Sequence, residues 1–362
     1  MNWLFIFLGF SALVILHEAG HFFAAKATGM RVERFFLFFP PKLVSIKRGE
    51  TEYGIGAIPA GGFVKISGMN PDEVLPEGEE HRGYYHQPVW KRIVVIGAGP
   101  AVNIVLAFAI LFVLALGASD PTQSVDEIVP GSPAASVLES GDRIVAIDGK
   151  SYAGLSTEGR LEKFYEDVGS HECAGKPQDG CRAASPVVLE VERDGELQTI
   201  SVRPEYEKSA GRTRIGFSYG TEPANLGVGG AISRAGDAIW LVTSKTVTVF
   251  ANIFDSEQRK EVSGVVGVSD VANQTIDVGT RESLTLLAIV SLSLGLINLF
   301  PFLPLDGGHI FWSLVEKARG KPVPYRVMER AGALGFVLVI MLFFLGLSND
   351  IGRLTGEGFN VR

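Results

Sequence analysis

Three stretches of this chain, 93–117, 283–303 and 331–349, contain no charged residue, and a fourth, 3–23, contains only Glu18. Each is long enough to cross a hydrocarbon core, which takes about 20 helical residues. Backbone in lipid must satisfy its own polar groups, so each stretch is expected to be a transmembrane helix. The averages alone, 46% hydrophobic and 20% charged, would pass for a soluble protein. The net charge of -7 argues against a nucleic-acid partner, which needs a basic surface. Two cysteines are too few for a disulfide-built miniprotein. The first stretch lacks the basic leader and small-residue cleavage site of a signal peptide, so it reads as a span.

Lys and Arg near span ends set the orientation. Lys26, Arg31, Arg34, Lys91 and Arg92 place 24–92 in the cytoplasm, and Lys317, Arg319, Lys321, Arg326 and Arg330 do the same for 304–330. Segment 118–282, with 16 basic and 26 acidic residues, is expected on the other side with both termini. Cys173 and Cys181 fall there, and an oxidising compartment favours a disulfide over two free thiols.

Five regions follow: 1–117 with two spans and a cytoplasmic β element, 118–225 a small α/β domain, 226–282 an amphipathic helix and linker, 283–349 two spans, and 350–362 a tail. In the second, a strand is expected at 125–129, and Ser132 is placed to cap a short helix begun by Pro133. Residues 141–149 alternate apolar and polar up to an Asp-Gly turn. Residues 187–192 and 197–202 flank Asp194-Gly195 as a hairpin. In 228–254, Ile232, Ala235, Ile239, Val242, Val249 and Ile253 recur at three- and four-residue steps. That helix either lies in the membrane interface with Trp240 as anchor or packs on the β domain. In the cytoplasmic segment, five residues from Phe35 to Phe39 precede a glycine-rich run and a short strand at 63–67, as expected of a membrane-dipping β element.

The first span contains His17-Glu18-Ala19-Gly20-His21, an H-E-x-x-H pattern. Residues four apart share a helix face, so both imidazoles can hold one ion, and Glu18 beside them can take a proton from water. Titratable groups in hydrocarbon are costly, so they are functional by default. A catalytic zinc usually has three protein ligands. Pro301 and Pro304 unwind the third stretch near the depth of His17 and deliver Asp306 into that layer. His309, two glycines further on, is the alternative third ligand.

Together, H-E-A-G-H in the first span, the run from Asn298 to His309 (N-L-F-P-F-L-P-L-D-G-G-H) in the third, Gly99-Pro100-Ala101-Val102-Asn103 in the second and a PDZ-like run at 130–150 resemble the site-2 protease family of intramembrane zinc metalloproteases. Its bacterial regulator of sigma-E protease branch is the nearest match. The resemblance implies a polytopic α-helical membrane protein with four transmembrane helices, an inserted PDZ-like α/β domain and a membrane-associated β element. It implies Zn2+ held by His17, His21 and Asp306, Glu18 as catalytic base, and Asn298 as a substrate contact. The strand with Gly62, Phe63, Val64 and Lys65 is expected to take unwound substrate along its edge. Substrates are expected to be single-span proteins, such as an anti-sigma factor, already trimmed by an upstream site-1 protease. The expected location is a bacterial inner membrane, with the PDZ domain periplasmic and the active site open to the cytoplasm. Known proteobacterial members carry two PDZ domains, whereas this chain has room for one.

Two other readings use the same residues: a metal-binding transporter and a catalytically silent PDZ scaffold. The first predicts further His, Asp or Glu within the spans and the second a broken H-E-x-x-H; neither is found.

Overall fold

A computed structural model of the chain describes residues 2–70, 73–152, 157–208, 210–252, 255 and 264–355. The last part of the tail and much of the linker at 253–263 lie outside them. The elements in order are α1 (Asn2–Ala27), β1 (Val32–Arg48), β2 (Thr51–Ile66), α2 (Val89–Leu116), β3 (Ser119–Ile128), β4 (Arg143–Ile147), β5 (Lys150–Ser151), α3 (Thr157–Gly169), β6 (Val187–Arg193) and β7 (Glu196–Val202). β8 (Glu205–Glu207), β9 (Arg212–Arg214), β10 (Phe217–Pro223), α4 (Gly227–Ala251), α5 (Val265–Val278), α6 (Thr280–Asn298), α7 (Asp306–Arg319) and α8 (Tyr325–Thr355) complete the chain. The described residues form two compact units, one reaching to Ala115 and resuming at Val228, the other Leu116–Gly227.

Four helices of the first unit are long and apolar enough to cross a membrane: Ile6–Ala27, Val89–Leu116, Thr280–Asn298 and Arg326–Gly352. The third ends at Asn298, earlier than the apolar run predicts. Pro301 and Pro304 cannot donate to a helical ladder, so the chain unwinds there and restarts as α7. α2 continues through Pro100. It lies between α1 and α6 at distances only small residues allow. A Cβ on Gly20 of α1 would stand 2.6 Å from the Ala98 carbonyl, and one on Gly295 of α6 would stand 3.0 Å from that of Pro100. On α4, Ala231 and Ala235 are buried, and Ile239 and Val242 pack against Ala107 of α2 and Ala288 and Leu292 of α6. Trp240 is exposed.

The glycine-rich strand is much longer than 63–67. β1 and β2 each fold back to make one sheet of four segments. Residues 42–48 pair antiparallel with 51–56, residues 52–55 advance alongside 34–37, and 34–37 pair antiparallel on their other side with 62–66. Segment 62–66 is therefore an edge, with no strand beyond it among the described residues.

In the second unit the strand order is β10-β3-β4-β6-β7, with β5 on β4 and β8–β9 a separate hairpin. Period-two alternation directs Val187, Leu189 and Val191 of β6 inward. They meet Ile144 and Ile147 of β4 and Phe164 and Val168 of α3. Residues 133–136 form one short 3-10 turn, but Ser132 does not cap it; its hydroxyl donates to the Gly216 carbonyl at 2.9 Å. Cys173 and Cys181 are disulfide-bonded. β3 and β10 pair to their outer ends, Ser119 opposite Pro223, and the Ala224 N–H donates to Ala118.

Candidate metal centre

One turn of α1 separates His17 from His21, so both imidazoles leave the helix on one side, and both are buried. Their Nε2 atoms lie 3.3 Å apart. Asp306, in the first turn of α7, brings Oδ2 to 3.2 Å from His17 Nε2 and 3.3 Å from His21 Nε2. Among the described residues these three form one cluster able to hold a metal, and His309 is not part of it. Gly307 allows the approach, because a Cβ there would meet the Leu299 carbonyl at 2.2 Å. The first turn of α7 thus tucks against the unwound loop.

The donor set fits zinc. Bonds of about 2.0–2.1 Å to tetrahedrally placed ligands put neighbouring donors about 3.3 Å apart, which is the spacing of these three atoms. Asp306 Oδ2 is buried and accepts no hydrogen bond, an arrangement that a cation would complete. The space beside it is kept by Gly99 of α2, where a Cβ would stand 2.3 Å from His21 Nε2 and 2.9 Å from His17 Nε2.

The remaining ring nitrogens point to α2. His21 Nδ1 donates to the Val95 carbonyl at 2.9 Å, which leaves the Nε2 lone pair facing the cluster. His17 Nδ1 lies 3.2 Å from the Asn103 carboxamide. At the start of α2, buried Arg92 makes a bidentate pair with Glu316 of α7 at 2.6 and 3.0 Å, packed over Tyr84 and Tyr85. This pair fixes the far end of the helix that begins with Asp306.

Glu18 meets the edge segment 62–66. The Val64 N–H faces its carboxylate, and Gly62 leaves room for its stem, a Cβ there standing 3.1 Å from Glu18 Cγ. Phe63 stacks on Phe36 and Phe39. Lys65 is drawn into ion pairs with Glu33 at 2.7 Å and Glu73 at 2.8 Å. Asn298 donates to the Leu294 carbonyl one turn back in α6. The structure thus brings His17, His21 and Asp306 together, sets Gly62 and Val64 against Glu18, and turns Lys65 and Asn298 to neighbours of their own. The sequence marks Gly99 and Asn103 only as the ends of a run shared with the family and Arg92 only as an orienting charge; Val95 it leaves unmarked, and it gives none of the four a role at the site. Their three- and four-residue spacing on one face of α2 is the signal that was available.

The profile of peptidase family M50 matches residues 5–342. Zinc metalloprotease Rip1 of Mycobacterium tuberculosis is 31% identical over 385 residues, covering 93% of this chain and 94% of that protein. A candidate zinc metalloprotease of Clostridium perfringens is 32% identical over 352 residues, covering 96% and 98%. One from Rhizobium meliloti is 30% identical over 381 residues, covering 97% and 96%.

Proposed function

The chain belongs to peptidase family M50 as a multi-pass membrane zinc metalloprotease, and from that premise we propose that it cuts a transmembrane segment of a single-span protein already trimmed outside the membrane. His17, His21 and Asp306 hold the zinc and Glu18 is the base. The observation that carries this reading is the convergence of three donor atoms at tetrahedral spacing beside a glutamate that lies against a sheet edge. When bound there, zinc polarises the scissile carbonyl and makes water a nucleophile. Glu18 accepts the proton of the attacking water and returns it to the leaving amine, so peptide and water balance as acid and amine.

A helical substrate hides its peptide bonds in intrahelical hydrogen bonds, and backbone groups left unpaired in lipid cost several kcal/mol each. The edge at 62–66 supplies replacement partners by strand addition, with Gly62, Phe63, Val64 and Lys65 as its residues and Asn298 as a further polar contact. Unit 116–227 acts as a PDZ-like domain on the periplasmic face of a bacterial inner membrane, admitting stubs left by an upstream site-1 protease. β10 supports the PDZ-like reading, since it is an edge strand with Phe217 and Tyr219 against Phe164 of α3. An anti-sigma factor is the substrate class that suits this sequence of cuts. The site opens to the cytoplasm, where the basic residues flanking the spans place 24–92. The test is Glu18→Gln with a model single-span stub. Zinc content should remain at the wild-type level while cleavage stops. Cleavage at the original rate would remove Glu18 from the chemistry, and loss of zinc would make it a ligand.

A further inference from the structure

We infer that Asn103 is a positioning residue that pairs with His17 Nδ1 in either tautomer and so holds the ring with Nε2 facing the metal site, and that one stripe of α2 is the template on which the metal ligands are ordered. The inference rests on His17 being a zinc ligand. Arg92, Val95, Gly99 and Asn103 recur at steps of three, four and four residues, so they lie along one face of the helix. Each meets a different part of the site. Arg92 holds α7, the Val95 carbonyl takes the His21 Nδ1 proton, Gly99 clears space for both Nε2 atoms, and Asn103 meets His17 Nδ1.

The chemistry of the last contact is specific. An imidazole that gives its Nε2 lone pair to a cation carries its proton on Nδ1 and must donate from there. Its partner must then be an acceptor. Asn103 is fully buried, its Nδ2 lies 3.2 Å from His17 Nδ1, and its Oδ1 has no hydrogen-bond partner. A half-turn of the carboxamide exchanges these two atoms and gives Oδ1 the His17 proton. Asn103 can therefore serve either tautomer, donating when Nδ1 is bare and accepting when Nδ1 is protonated. Its backbone does not follow the side chain, because Ser291 of α6 donates to the Asn103 carbonyl at 2.9 Å.

The two histidines are thus oriented by unlike devices. The Val95 carbonyl only accepts, so it fixes His21 permanently in the form with a free Nε2 lone pair. Asn103 turns with the state of His17. Binding a cation at Nε2 selects one of its two orientations, and an aspartate in its place offers only the accepting one.

The experiment measures zinc affinity by chelator competition on full-length protein in detergent micelles, comparing wild type with Asn103→Ala, Asn103→Asp and His17→Ala. Asn103→Ala should lose ten- to a hundredfold in affinity, the usual effect of removing the partner of a ligating imidazole. Asn103→Asp, which can only accept from Nδ1–H, should stay within about threefold of wild type on the same argument. Wild-type affinity in Asn103→Ala, or equal losses in the Ala and Asp variants, would overturn the inference. Full zinc retention by His17→Ala would instead overturn the ligand reading beneath it. Should Asn103→Ala fail to fold, Asn103→Ser keeps a polar group too short to reach His17 and should show the same loss, and wild-type affinity there would equally overturn the inference.

Discussion

Replacing Gly99 with alanine tests the site by the smallest possible addition. The new methyl would stand 2.3 Å from His21 Nε2, 2.6 Å from its Cε1 and 2.9 Å from His17 Nε2. Uncharged heavy atoms settle at about 3.5 Å, so His21 must retreat by about 1.2 Å. Metal–ligand distances tolerate deviations of about 0.2 Å, so the displacement is about six times what the centre accepts. Removing only a ligand's hydrogen-bond partner costs ten- to a hundredfold in affinity, and displacing the ligand itself should cost at least about a hundredfold. The helix does not account for the loss, since alanine is favoured over glycine in a helix interior by about 1 kcal/mol. Gly97 is the internal control. It lies two residues away on the same helix, and a Cβ there meets only Ile310 Cδ1, at 3.9 Å. Zinc affinity by chelator competition, followed by cleavage of a single-span stub, should show Gly97→Ala near wild type and Gly99→Ala inactive and zinc-poor. A Gly99→Ala protein that keeps wild-type zinc affinity refutes the geometry, and so does a Gly97→Ala protein that loses as much.

Two further outcomes are expected. Arg92→Met leaves the Glu316 carboxylate without its bidentate partner and should destabilise the helical unit by about 3 kcal/mol in reversible micellar unfolding. The Arg92→Met/Glu316→Met double variant should recover most of that, and simple additivity of the two single losses would show that the pair is not coupled. At the β1–β2 turn, the Arg82 guanidinium, with Lys26 beside it, holds Glu50 down from 4.5 to about 2. A carboxyl depressed on folding adds stability above its unfolded value, and that stability drains away as pH falls through the folded value. Acid unfolding followed by circular dichroism should therefore steepen between pH 4.5 and about 2, and Glu50→Gln should flatten this window; an unchanged acid profile would show that the network contributes nothing.

The spans were legible because hydrocarbon excludes charge, and a window of about 20 residues suffices to detect that. His17 and His21 were legible because ligand spacing within a helix is local. Asp306 was reachable because two prolines announce where α6 must end, although the helix stops at Asn298, before either of them. What escaped lay in contacts between distant segments. The Val95 carbonyl carries no sequence signature, since every residue has one. The run from Gly99 to Asn103 was visible, but its role at the site depends on α1 approaching α2 at Gly20. The ion pairs of Lys65 with Glu33 and Glu73 likewise join segments that are apart in the chain. The extent of β2 was hidden by its glycines, which weaken a strand signal locally. They let β1 and β2 fold back on each other in one sheet. α5 and α7 were not anticipated: one lies in a stretch read as linker, the other in a loop between spans.

The pairing of β3 with β10 out to Ser119 and Pro223, closed by the Ala224-to-Ala118 hydrogen bond, makes the inserted unit begin and end at one spot. It is a cassette whose two ends lie side by side. A second cassette in series would offer the same closely spaced pair of ends. Closely spaced ends of this kind let such a unit be added or lost without changing the order of the helices before and after it in the chain.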